Sequence, residues 1–443
     1  MGGEMKSKWW QLTVFSVVGC VALGSTFTSA LAKTQSTKNS KPIVAKYCKE
    51  ETSLGSLLSC TAKKAAGEPV KIGMINTETA PIGAFPELTA ATETAVRWIN
   101  AELGGVGGRP IELITCDTKF SPEGSQSCSQ KMVDAKVSAV AGGIDIYADA
   151  GLKILEDNVI PYVGGIPAAF GQVKSPISFQ FSGGTWGAGV AFADYAVKTL
   201  KAKNIGIMYA DFGSIKNAAI EYSADIAKKL GAKNIETVPF AITATDFLAP
   251  LTAANSGNPD AIFVFAADTA CVPVMRASQE LGIQAKMLLV GACATPKSTT
   301  EAGVGSEGKL FNIEGPISGG GDPDTAMYTS AVKKYGQGLD PIGAGTVSFR
   351  AMMNLWVVMS NLKEKGTEPQ AIIDAFRASK DAPSFMGHPY TCDGKQIPEF
   401  PALCSPQEIM VRYANKKLVQ ASKGTPSNPY GWIDVPAILK KVS

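Results

Sequence analysis

Few side chains in this sequence are placed for covalent or metal chemistry. The only histidine, His388, stands directly before Pro389, so an acid–base role would rest on a lone imidazole, and a structural or surface histidine is the plainer reading. No serine carries the flanking glycines of a G-x-S-x-G nucleophile elbow. No phosphate-cradling P-loop occurs. The run Gly104-Gly105-Val106-Gly107-Gly108 follows a helical stretch rather than a strand, so it is not a dinucleotide fingerprint, and Gly319-Gly320-Gly321 reads as a loop. Catalysis and cofactor binding are therefore not expected; no cofactor and no metal site is assigned.

Cysteine is the exception. Of nine cysteines, Cys20 falls in an N-terminal apolar run, and the other eight form four pairs close in sequence: Cys48 and Cys60, Cys116 and Cys128, Cys271 and Cys293, Cys392 and Cys404. Sequential pairing is the expectation among the ~105 connectivities that eight cysteines allow. Metal ligation loses because no pair has C-x-x-C spacing and histidine partners are missing. Disulfides imply an oxidising compartment. Export fits the N-terminus. Lys6 and Lys8 precede an apolar run from Trp9 to Gly24, and Ala30-Leu31-Ala32 offers small residues for cleavage. Residues 1–32 read as a signal peptide, with acylation at Cys20 as the second reading and an uncleaved anchor as the third.

A chain of 443 residues with 45% hydrophobic and 18% charged residues can build more than one core. Its formal charge of +3 supplies no basic tract for a phosphate backbone, so nucleic acid is not an expected partner. Residues 33–69 are rich in Lys, Ser and Thr and read as an extension rather than core. From Val70 short apolar strands alternate with helical stretches: Val70 to Asn76, Ile111 to Cys116, Ser138 to Ala141 and Ile160 to Val163, then Asn204 to Tyr209, Glu236 to Phe240, Ala261 to Phe265 and Lys286 to Val290. Continuously apolar runs are what parallel strands covered on both faces require. The fold class is α/β, with two doubly wound parallel-sheet lobes joined by crossover strands. The expected division places a first lobe at 70–182, a second at 183–308, a return to the first at 309–384, and a C-terminal segment at 385–443, partly in the second lobe, with a hairpin turning at Asn415-Lys416-Lys417.

This order, together with Trp98-Ile99-Asn100-Ala101-Glu102-Leu103-Gly104-Gly105-Val106-Gly107-Gly108-Arg109-Pro110-Ile111, resembles type I periplasmic binding proteins of the branched-chain amino acid class. There a helix ends in an Ile-Asn pair, and a Gly-Gly turn and Gly-Arg lead into the second strand. Asp117 and the late Phe385/Gly387 add to the likeness. The resemblance, which runs from about Val70 to the C-terminus, implies an interlobe cleft for amino acids, amides or small acids and an ABC permease as membrane partner. A monomer outside the cytoplasm is expected. A ligand-binding module for a sensor is the alternative, and an enzyme a distant third.

In open parallel sheets, ligands sit beyond the carboxyl ends of the strands. The loops there run from Thr77 to Phe85, Gly142 to Tyr147 and Gly164 to Phe170 in the first lobe, and from Ala210 to Ser214, Ala267 to Cys271 and Ala292 to Thr295 in the second. Candidate ligand residues are Thr77, Phe85, Asp145, Tyr147, Ile166, Phe170, Trp186, Phe212, Asp268, Thr269 and Thr295, with Gly183 and Gly184 as hinge. Loops that open helices present backbone N–H groups, which suit a carboxylate. The first-lobe loops Gly142-Gly143-Ile144-Asp145 and Gly164 to Phe170 lack hydroxyls, and aromatic residues lie nearby. A small hydrophobic or aromatic acid or amide is expected over a polar amino acid.

Overall fold

The structure is a computed structural model that describes residues 41–80, 83–317 and 321–442. The signal segment with Cys20, residues 33–40 of the extension, Pro81 of the first loop, and Gly319 and Gly320 lie outside the described residues.

Two sheets form. The first is parallel, in the order β2-β1-β3-β4-β5, from Val70–Asn76 (β1), Ile111–Asp117 (β2), Ala139–Gly142 (β3), Tyr162–Val163 (β4) and Ser178–Phe179 (β5). The second contains Asn204–Ala210 (β6), Asn234–Phe240 (β7), Ala261–Phe265 (β8), Lys286–Leu289 (β9), Leu310–Ile313 (β10), Ile409–Ala414 (β11) and Lys417–Gln420 (β12), in the order β12-β11-β10-β9-β8-β6-β7. Its β6 to β10 are parallel; β11 and β12 add antiparallel at one edge. Strand β8 is buried along its whole length, as continuous apolar runs between two helical layers require.

The glycine-rich motif has a local cause. Asn100, in the helix Pro86–Glu102, exchanges two hydrogen bonds with the Ile111 backbone, so one side chain sets the start of β2 against the helix end. Gly105 has φ 68°, and a Cβ there would sit 1.9 Å from the Arg109 carbonyl oxygen. Only glycine closes this turn.

Among the described residues four disulfides join Cys48–Cys60, Cys116–Cys128, Cys271–Cys293 and Cys392–Cys404, the sequential pattern. Two expectations shift. Leu310–Ile313, assigned to the return segment, is a strand of the second sheet, because its backbone pairs with β9 on one side and β11 on the other. The described part of the extension is not outside the core. Ile43, Val44, Tyr47, Leu54 and Leu58 are buried in the first-lobe core, and the Tyr47 hydroxyl donates to the Ala326 carbonyl. The short helix Ile43–Tyr47 puts Ile43, Val44 and Tyr47 on the lobe, which an average over a polar segment conceals.

Candidate functional site

A cavity of about 510 Å³ lies between the lobes. The first lobe contributes Phe85, Phe120, Ile144, Ile146, Ile166 and Pro167; the second contributes Ala188, Ile215, Ile242, Ala267, Asp268 and Ala292. Residues Asn312 to Ile317 and Gly184-Thr185 line it where the chain passes between lobes, and Pro341 to Ala344 and Met386 close one side. The lining is dominated by apolar side chains. This matches a site that gains its energy from burying an apolar body.

The lobes also touch directly. Tyr147 and Phe212 meet edge-on with ring centroids 5.8 Å apart, and the Ser214 hydroxyl donates to the Ala168 carbonyl. Gly83 presses on the second lobe, since a Cβ there would lie 3.1 Å from Asp268 Oδ1.

Polar atoms in the cavity are sparse. Asp268 Oδ1 and Thr185 Oγ1 are buried and have no hydrogen-bond partner, although both residues line the cleft. Burial raises the Asp268 carboxyl above its ordinary range, with backbone N–H groups and Lys297 opposing. Burial raises Glu87 likewise, and the Asp268 charge adds to it. An unpaired buried acceptor is costly, so a ligand donor there would be well received.

Of the eleven ligand residues read from the sequence, Phe85, Ile166 and Asp268 line the cavity. The others do not. Thr77 is buried and hydrogen-bonded to the Thr118 hydroxyl. Asp145, 2% exposed, accepts from the Ser125 hydroxyl and the Tyr147 backbone, within its own lobe. Tyr147 and Phe212 face each other across the lobes rather than the cavity. Trp186 is core: it is 1% exposed, packs between Phe170 and Phe400, and donates its indole N–H to Asn217. Phe170 is spent on that stack. Thr269 lies on the exposed side of its turn, and Thr295 caps the helix Pro296–Ala302 by accepting from Ser298 N. Phe120, Thr185, Ile242, Glu314, Ile342 and Met386 were not foreseen. Met386 alone carried a signal, as the centre of the Phe385-Met386-Gly387 motif.

In the first lobe, several of the loop N–H groups expected to meet an anion are engaged by the protein itself. Asp117 Oδ1 accepts from Glu78 N and Thr79 N, Asn76 Oδ1 from Ile144 N, and Gln172 Oε1 from Ala168 N and Ala169 N. These first-lobe N–H groups thus have acceptors within the protein.

Behind the cavity, Arg350 on the helix Gly345–Asn361 ties the connections together. It donates to the carbonyls of Phe181 and Glu314 and pairs with the Glu314 carboxylate at 3.3 Å. Ser182 donates to the same carboxylate, and Glu408, fully buried, accepts from Asn312. Gly183, with φ −74°, fits against this cluster: a Cβ there would lie 2.9 Å from Glu408 Oε1. Gly184 has φ 56°, and its Cβ would lie 2.4 Å from the Pro167 carbonyl oxygen. Both positions need glycine for close approach, and Gly184 also for its backbone.

Two α/β lobes around an apolar cleft define a small-molecule binding protein. The chain belongs to the periplasmic binding protein family, whose model matches residues 69–399. It is similar to an "Amino acid binding protein" of Pseudomonas aeruginosa, 23% identical over 297 residues, covering 65% of this chain and 77% of the relative. In fold it is similar to the leucine binding protein LivK of Thermotoga maritima, with TM-score 0.67, 20% identity, and coverage of 81% of this chain and 99% of that one. It is also similar to an ABC transporter solute-binding protein of R. palustris in complex with 4-hydroxybenzoate, with TM-score 0.68, 20% identity, and coverage of 82% and 99%.

Proposed function

We propose that the chain is an extracytoplasmic solute-binding protein that captures a small apolar-bodied molecule between its lobes and delivers it to an ABC importer. The observation that carries the reading is the cavity of about 510 Å³ lined by the loops after the parallel strands of both sheets, mainly through apolar side chains from both lobes. Solute capture is the work of the family to which the chain belongs. Leucine and 4-hydroxybenzoate, named for two structural relatives, are apolar bodies with a few polar groups. Export is supported by the four disulfides, which favour an oxidising compartment. Among the described residues no helix is long and apolar enough to cross a membrane.

Phe85, Ile166, Ile144, Ala188 and Ala292 form the apolar wall in this reading, and Asp268 and Thr185 supply the polar contacts. A ligand that binds only the folded, closed form raises stability by about 2.7 kcal/mol at a hundredfold excess over Kd. A thermal-shift screen of apolar amino acids, aromatic acids, amides and amines should therefore reveal binders. Ala292→Trp, which fills the cleft, should abolish each shift. Shifts that persist in that variant, or a library without a single binder, would count against the cleft as the site. Mass spectrometry of the mature N-terminus separates cleavage after Ala32 from acylation at Cys20.

A further inference from the structure

We infer that the cleft selects an apolar ligand that presents N–H groups, a primary amine or amide, rather than one gripped by its own carboxylate; the inference rests on the cleft being the ligand site. Two independent sets of contacts point there. The first is on the first lobe. The loops after β1, β3 and β4 are where an anion would be met by backbone N–H groups, and each already holds an internal oxygen: Asp117, Asn76, Asp145 and Gln172 accept from Glu78, Thr79, Ile144, Tyr147, Ala168 and Ala169. Asn76 and Gln172 are fully buried and Asp145 is 2% exposed. A ligand carboxylate entering these loops would have to displace an oxygen already held by a backbone N–H, on a side chain anchored by further bonds such as Ser125 to Asp145 and Asn76 to the Phe85 carbonyl.

The second set is on the opposite wall. Among the residues that line the cavity, the buried side-chain atoms without a hydrogen-bond partner are two oxygens: Asp268 Oδ1, which can only accept while the carboxylate is ionised, and the Thr185 hydroxyl, which can accept or donate. Glu87 adds a second carboxylate close enough to feel the Asp268 charge, against the single ammonium of Lys297. The local field is therefore negative, which repels a ligand anion and attracts an ammonium or the positive end of an amide. Arg350, a buried guanidinium that does not line the cavity, donates through its terminal nitrogens to Glu314 and two backbone carbonyls, and its Nε is buried without a partner. Lys416 and Lys417 reach the lining from an exposed turn, where water screens their charge. Burial raises the Asp268 carboxyl, so it gains from an incoming donor.

The test uses two isosteric sets that hold the apolar body constant: benzylamine, benzamide and benzoate, and isoamylamine, isovaleramide and isovalerate. Calorimetric titration of the full chain should give, in at least one set, amine or amide binding on the order of tenfold tighter than the carboxylate, the ratio expected for one charge-assisted hydrogen bond. Asp268→Asn keeps an acceptor but removes the charge, so it should weaken the amine by a similar factor and change the amide far less. Carboxylates that bind as tightly as their partners, six compounds that all fail to bind, or an amine unaffected by Asp268→Asn would each overturn the inference. Ala292→Trp separates the two levels: a carboxylate whose binding it abolishes leaves the cleft standing and removes only the donor preference, whereas binding that survives it removes the cleft as well.

Discussion

Asp145 offers a sharp test of how the cleft loops are held. It lies in sequence between Ile144 and Ile146, which line the cavity, and its carboxylate accepts from Ser125 Oγ at 2.7 Å and Tyr147 N at 3.0 Å. Burial, aided by the nearby Asp149 charge, pushes its pKa from 3.8 up to about 6, although both hydrogen bonds oppose the shift. A carboxyl whose folded pKa is raised contributes stability that is present below its unfolded value and lost as pH rises through the folded one. With these two values, linkage gives a loss of about 2 kcal/mol between pH 4.5 and 7.5 from this one group. Asp145→Asn keeps an acceptor for Tyr147 N, can donate its amide N–H to the Ser125 hydroxyl in place of the second oxygen, and cannot ionise. Urea denaturation of both proteins across that range should show the variant gaining about 2 kcal/mol on the wild type as pH rises. A difference that stays flat, or one that shrinks with pH, would refute the placement of an ionisable carboxyl in this pocket.

Other consequences follow from the same contacts. Arg350→Met should strip the compensating charge from buried Glu314 and Glu408 and destabilise the protein by about 3–5 kcal/mol, measured by denaturant midpoint. Glu408→Gln should do the reverse: burial and the Glu314 charge raise the Glu408 carboxyl well above its usual range, so the variant's stability relative to wild type should improve as pH rises through that raised value. Replacing Cys271 and Cys293 together by serine frees the two second-lobe loops that carry Asp268 and Ala292, and thermal unfolding should report a loss of about 3 kcal/mol for the 22-residue loop. Trp186→Ala should cost about 3–5 kcal/mol in stability as a core deletion, while the affinity of any cleft ligand measured on the folded variant stays close to that of the wild type.

What the sequence determined by itself is what short-range physics controls. Strand runs such as Ala261–Phe265 and the turn at Gly104-Gly105 were legible because apolar continuity and the left-handed backbone are decided within a few residues. The family motif was readable for the same reason, since Asn100 acts on Ile111 just past the turn. The cysteine pairs were legible because each closes a short loop. Strand positions also fixed which loops face the cleft, since parallel strands all end on one side. Only the tertiary structure decided which side chains on those loops reach the ligand. Trp186 and Phe170 look like pocket walls in the sequence, but Trp186 packs against Phe400, far along the chain, and Phe170 against Trp186. The backbone donors look free until Asn76 and Gln172 fold onto them. Arg350, Glu314 and Glu408 come from three separate segments and meet only where the lobes join. Burial and charge pairing are sums over neighbours distant in sequence, so a loop's position can be read before folding, but the state of its polar groups cannot.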